Sequence, residues 1–172
     1  ICFRLNPGIG KTTSETKSNV LGGPDAKYGI PPNQIIEAYQ KAQKFGAKKF
    51  GIHIMTGSCV LDSDYFAKIT EILLNTMGKI KKNLGINFEF FNIGGGFGIP
   101  YKPEQKPLII KKLAKNLHKI YSSKIKQHNL GKPKLYMEHG RYLTGPYGWL
   151  VSRCQVIKKT WQTYYGLDAC MA

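Results

Sequence analysis

The chain is predicted to be an α/β protein, half of an eight-fold βα barrel or one side of a doubly wound sheet, followed by the start of a β-rich domain. Three observations predict this. Short apolar runs alternate with segments of helical period, a glycine-rich stretch closes one of the runs, and the rhythm stops after Arg141.

The strands are expected at Ile1–Leu5, Phe50–Met55, Phe88–Ile93 and Lys134–Glu138, each short and apolar. The first helix is expected to begin near Pro32, since proline suits a first turn. It carries Ile35, Ala38, Tyr39, Ala42 and Phe45 on one face, and Gly46 stops it. The second is expected from the Asp62–Asp64 capping region through Phe66, Ile69, Leu73, Met77, Ile80 and Leu84 to Gly85. The third carries Ile110, Leu113, Leu117, Ile120 and Tyr121, with Gly131 and Pro133 at its end and His118 and His128 on its surface. Units of about 40 to 45 residues suit a βα repeat. Beyond them, Gly148–Lys158 and Thr160–Ala172 read as extended, so residues 1–144 are expected to form the partial barrel and 145–172 the beginning of a β-rich domain.

The net charge of +16 invites a nucleic-acid reading, but the cations are of the wrong kind. Only Arg4, Arg141 and Arg153 can give bidentate readout, while the lysines fall mostly on expected helix surfaces such as Lys79–Lys82 and Lys111–Lys126. Neither nucleic-acid binding nor a membrane span is expected. Cys2, Cys59, Cys154 and Cys170 lack a Cys-x-x-Cys spacing and read as reduced thiols of a cytoplasmic protein that holds no metal. The chain opens without methionine and stops in an apolar run, so both ends are expected to be cut.

In an open or closed βα sheet, ligands lie at the carboxyl ends of the strands. Four loops meet that condition: Asn6-Pro7-Gly8, Thr56-Gly57-Ser58, Gly94-Gly95-Gly96 and Glu138-His139-Gly140-Arg141. Glycine N–H groups at positive φ can form an anion nest, so Asn92–Gly98 suits a phosphate group, with Ser58 and the backbone around Gly140 as further donors. The spacing is not that of a dinucleotide fingerprint. Gly8–Thr12 imitates the tail of a P-loop, but Leu5 stands where glycine is required, and the polar, Gly/Pro-broken Thr12–Asp25 stands where a helix is required. Glu138, at the end of an apolar strand, calls for a cationic partner, either Arg141 or a protonated ring nitrogen of a cofactor. His53 reads either as a packed, satisfied histidine or as a site residue.

Six stretches in order carry a resemblance: Arg4–Gly8 (RLNPG), Asp25–Gly29 (DAKYG), Gly51–Ser58 (GIHIMTGS), Asn92–Gly98 (NIGGGFG), Glu138–Arg141 (EHGR) with Gly145–Gly148 (GPYG), and Gly166–Cys170 (GLDAC). Together they resemble the diaminopimelate decarboxylases, pyridoxal-phosphate enzymes of the alanine-racemase-like barrel fold. The resemblance implies the C-terminal half of a (β/α)8 TIM barrel, pyridoxal 5'-phosphate as cofactor, and decarboxylation of meso-diaminopimelate to L-lysine and carbon dioxide in lysine biosynthesis. Related ornithine or arginine decarboxylases, or an inactive homologue serving as a binding module, are the alternatives.

By the same resemblance, Ser58, Gly94, Gly95, Gly96, Gly140 and Arg141 would hold the cofactor phosphate. Glu138 would pair with the pyridine nitrogen, His53 and Met55 would face the ring, and Arg141 could instead bind a substrate carboxylate. Lys27 would stand near a homodimer contact. Met55 departs from a second ring-stacking histidine, and His139 stands where proline is commoner. The lysine that forms the Schiff base would lie outside this chain, as would the substrate-binding cysteine and tyrosine, so the chain alone is expected to be inactive.

Overall fold

The computed structural model describes residues 1–13 and 20–170. The interior of the polar stretch Thr12–Asp25 and the last two residues of the extended run Thr160–Ala172 lie outside the described residues. Four parallel strands, β1 (Cys2–Leu5), β3 (Phe50–Ile54), β5 (Phe88–Asn92) and β6 (Lys134–Tyr136), form one sheet in the order β1-β3-β5-β6. Between them run α1 (Ile35–Lys44), α2 (Ser63–Leu84) and α3 (Ile110–His128), and β6 is followed by α4 (Gly140–Thr144). The two-residue strands β2 (Lys11–Thr12) and β4 (Gly57–Ser58) pair in a strip of their own above the sheet ends. A 3-10 turn, Gly145–Tyr147, leads on to the antiparallel hairpin β7 (Cys154–Lys159) and β8 (Thr163–Leu167).

One face of the sheet is closed by helices. Leu5, Ile52, Ile54, Phe91 and Ile93 pack against Phe66, Ile69, Leu73, Met77 and Ile80 of α2, with Ile35 and Tyr39 of α1 and Leu113 and Leu117 of α3 completing the core. Burial of each large apolar side chain stabilises the fold by about 1.5–3 kcal/mol. The Tyr39 hydroxyl, fully buried, donates to the Gly51 carbonyl at 2.6 Å, beside the register shift between Phe50 and Gly51.

Helix limits follow local chemistry. Asp62 caps α2 by accepting from the Asp64 and Tyr65 N–H groups (2.9 and 3.3 Å), and Gly85 closes it in the left-handed conformation at φ 69°. The first helix starts three residues after Pro32, because the Gln34 N–H closes a turn on the Pro31 carbonyl (3.0 Å) before helical bonding begins. Phe45, expected on its buried face, is 87% exposed, since the helix ends at Lys44 and Phe45 no longer follows its periodicity. Asn129 at φ 50° ends α3, two residues before the predicted Gly131; asparagine tolerates this conformation.

One expectation about exposure is corrected. His128 is not a free surface residue. Its ring covers Gly78 of α2, where an added methyl would overlap it, and its Nε2 lies 2.9 Å from Asn75 Oδ1. The apolar strand expected at Lys134–Glu138 forms over Lys134–Tyr136, at the edge of the sheet, and is exposed throughout. Among the described residues no helix is long and apolar enough to cross a membrane.

Candidate functional site

Register assembles the site. Arg4 pairs with His53, His53 with Asn92, and Asn92 with Tyr136, so one row of polar side chains crosses the sheet at its carboxyl end, on the face opposite the helices. The loops above this row are zipped together. The Val60 N–H donates to the Gly96 carbonyl (2.8 Å), the Gly98 N–H to the Val60 carbonyl (2.9 Å), and the Glu138 N–H to the Gly94 carbonyl (3.0 Å).

The glycines are required by that zipping. A Cβ at Gly94 would overlap the Ile54 carbonyl, at Gly95 the Glu138 carbonyl, and at Gly96 the Gly57 carbonyl; Gly94 and Gly96 also hold φ of 71° and 105°. Their N–H groups differ in use. The Gly94 N–H donates to Asn92 Oδ1 at 2.8 Å, whereas the Gly95 N–H meets Met55 Sδ at 3.1 Å, a weak acceptor that an anionic oxygen can displace. The Gly140 N–H is already engaged by the Glu138 carbonyl at 3.1 Å.

Glu138 is the acidic centre of the row. One carboxylate oxygen, Oε1, accepts from Asn92 Nδ2 at 2.7 Å and lies 3.6 Å from His53 Nε2. Burial holds the His53 ring below its ordinary pKa, against the pull of Glu138, so the imidazole is neutral near pH 7. Of the two cationic partners the sequence allows, Arg141 forms no ion pair with Glu138. Among the described residues the one basic side chain within 4 Å is His53, which is neutral, and the carboxylate tolerates the lack of a charged partner because it is half-exposed just beyond the edge strand. Arg141 instead lies over the Tyr101 ring, 5.9 Å from its centroid.

Met55 is half-buried with its sulfur on the glycine loop, so the structure brings Met55, His53, Glu138 and Gly94–Gly96 together. Ser58 lies in β4, its carbonyl accepting from the Thr12 hydroxyl at 2.9 Å. Lys11, the lysine of the P-loop imitation, is bound to Asp62 at 2.5 Å and belongs to the capping region of α2.

Reasoning from sequence missed Arg4 and Asn92 as site residues in their own right. The Arg4 guanidinium donates to the Leu21 and Met55 carbonyls (2.8 Å each) and covers the Tyr28 ring at 4.8 Å, tying three loops together. Its signal was available, as a cation alternating with apolar residues inside a strand. The role of Asn92 depends on a residue 46 positions away, and nothing local announces it.

Part of a barrel of βα units, with a glycine loop that can take an anion and an acid without a Lys or Arg partner at its strand ends among the described residues, suits a phosphorylated, ring-nitrogen cofactor. The model of the pyridoxal-dependent decarboxylase family's pyridoxal-binding domain matches residues 1–145. The chain belongs to that family. It is 35% identical over 169 residues to the diaminopimelate decarboxylase of Methanothermobacter thermautotrophicus, covering 98% of this chain and 39% of the relative. It is 36% identical over 151 residues to that of Thermoplasma acidophilum, covering 88% and 36%. The crystal structure of the M. jannaschii enzyme in complex with L-lysine superimposes with a TM-score of 0.78 at 26% identity, covering 98% of this chain and 38% of that one. The chain therefore spans about two fifths of the relatives it matches, and its α/β fold corresponds to part of their barrel.

Proposed function

We propose that this chain supplies the cofactor cradle of a pyridoxal-phosphate-dependent decarboxylase that converts meso-diaminopimelate to L-lysine and carbon dioxide. The observation that carries the reading is Glu138, a carboxylate held by the Asn92 amide, with a neutral His53 3.6 Å away and no Lys or Arg nitrogen within 4 Å among the described residues. A site of this kind has room for one cation, and a protonated pyridine nitrogen fits it. The residues present fit the cofactor in a second respect, since Gly95 offers an N–H paired to a thioether, a weak acceptor.

When bound, pyridoxal phosphate accepts the electron pair released as carbon dioxide leaves the substrate. Glu138 would keep a proton on the ring nitrogen, and Asn92 would aim the carboxylate. His53 would lie against the ring and Met55 would cover it through a sulfur–aromatic contact without donating a proton. Gly94, Gly95, Gly96 and Ser58 would hold the phosphate, with Arg141 and the adjoining Gly140 beside it. The open position of Arg141 over Tyr101 also suits a substrate carboxylate. The intact protein is read as a cytoplasmic homodimer with Lys27 near the subunit contact, and the chain alone as inactive.

Titration of the chain with pyridoxal phosphate, competed by inorganic phosphate, tests the cradle; saturable, competable binding is expected. Carbon dioxide release by the full-length protein from meso-diaminopimelate, ornithine and arginine in parallel tests the substrate. Turnover of ornithine or arginine in preference would replace the assignment with a related basic amino-acid decarboxylase. Absence of cofactor binding would remove the reading altogether.

A further inference from the structure

His139 has a place in the fold that neither the decarboxylation chemistry nor the phosphate cradle uses. It follows Glu138 directly, and its ring lies flat on Phe97, centroids 3.3 Å apart at 16° between planes. Phe97 belongs to the glycine loop and packs edge-on against Phe66 of α2 (4.5 Å), while Tyr142 of α4 meets Phe97 edge-on at 6.1 Å. The Phe66 ring also stands edge-on to His139 at 6.2 Å. The contact is polar as well as aromatic, since the Phe97 N–H donates to His139 Nδ1 at 3.4 Å. That bond demands a lone pair on Nδ1 and hence, in the neutral ring, the proton on Nε2, an atom buried without a partner. Burial keeps the ring neutral, pushing its pKa down to about 4.

We propose that His139 is a positioning residue that docks the Gly94–Gly98 loop onto the β6–α4 turn, and so sets the distance between the glycine N–H groups and the Glu138 carboxylate. A ring-nitrogen partner and a phosphate cradle borne on separate strand ends serve one rigid ligand only if their spacing is held. The Glu138 N–H bond to the Gly94 carbonyl pins one end of the loop. His139 pins the other, at Phe97. The inference rests on the cofactor reading given above for its consequence, but its structural part stands on the geometry alone.

The test combines amide exchange with ligand discrimination. In His139→Ala, exchange at the Phe97 amide is expected to rise about tenfold, because both the stack and the acceptor are lost. Affinity for pyridoxal phosphate is expected to fall about tenfold while affinity for pyridoxal, which has no phosphate, stays unchanged. His139→Asn restores an acceptor near Nδ1 and is expected to recover part of the Phe97 protection. Unchanged exchange and an unchanged phosphate-to-pyridoxal affinity ratio in His139→Ala would overturn the proposal. Should that variant not fold, His139→Phe keeps the stack without the acceptor. Faster exchange confined to Phe97 then supports the docking role, and wild-type exchange overturns it. If the wild-type protein binds neither pyridoxal compound, the cofactor reading falls while the exchange arm still decides what His139 does.

Discussion

Glu138 separates a structural from a chemical role at the level of a single side chain. Its carboxylate is half-exposed and bonded to an amide, so replacing it by glutamine removes charge without leaving a buried orphan. Glu138→Gln is expected to shift stability by no more than about 0.5 kcal/mol, yet to lower decarboxylation by the full-length protein about 100-fold or more. A thermal midpoint that falls in step with activity would assign Glu138 to structure instead. The two histidines beside it make a second prediction. His53 and His139 are held below their ordinary 6.5 by burial, to about 4 for His139. The unfolded chain therefore binds more protons than the folded one below about pH 6.5, and stability falls as pH drops from there toward about 4, then levels for His139. Denaturation midpoints at pH 7, 6 and 5 should decline, and His139→Phe should flatten the decline. Asp62 contributes in a different window. Its carboxyl is held low mainly by Lys11, so its share is lost only as pH falls below the ordinary 3.8 through its own lower value.

Among the elements, the packing of α2 on α3 shows how opposing effects are weighed. Gly78 sits inside a helix, where alanine is favoured by about 1 kcal/mol, but an added methyl would overlap the His128 ring. Overpacking of this kind costs about 1–3 kcal/mol, so Gly78→Ala is expected to destabilise by about 1 kcal/mol in chemical denaturation. Combining it with His128→Ala should convert the loss into a gain, since the overlap is gone and the helix preference remains. Additive effects in that double-mutant cycle would show that the two residues do not meet. Helix limits set by caps were legible in the sequence, as at Asp62 and Gly85. The start set by a backbone turn at Gln34 was not, because the signal there is a hydrogen bond rather than a residue type, and at Asn129 the asparagine cap, itself a residue type, takes the place expected of Gly131.

Across the whole molecule, charge and apolar exposure oppose each other. Trp149, Leu150 and Val151 are 91%, 88% and 90% exposed, and the edge strand β6 borders an apolar groove of about 540 Å³ with Leu113, Leu117 and Leu135 in its lining. Surface of this kind favours association, while a net charge of +16 resists it. Salt screens the repulsion and leaves the apolar attraction, so self-association of the chain in sedimentation is expected to grow with ionic strength and to diminish in a Trp149→Ser, Leu150→Ser double variant. Association that weakens with salt would point to ion pairs as its cause.

The order of strands and helices, the faces the helices bury, the loops that gather at the strand ends and the glycines within them were all determined by residues within a few positions of one another. Periodicity, caps and turn preferences are local, and a chain declares them wherever it goes. The tertiary structure alone decided that Glu138 bonds to Asn92, beside His53, and forms no ion pair with Arg141. It also decided that Gly94–Gly96 are demanded by neighbouring carbonyls before any phosphate, that His128 covers Gly78, and that His139 wedges under the glycine loop. Each of these joins residues about 40 or more positions apart, or sets one nearby partner against another, and only the register of the parallel strands and the packing of α2 on α3 bring such groups together.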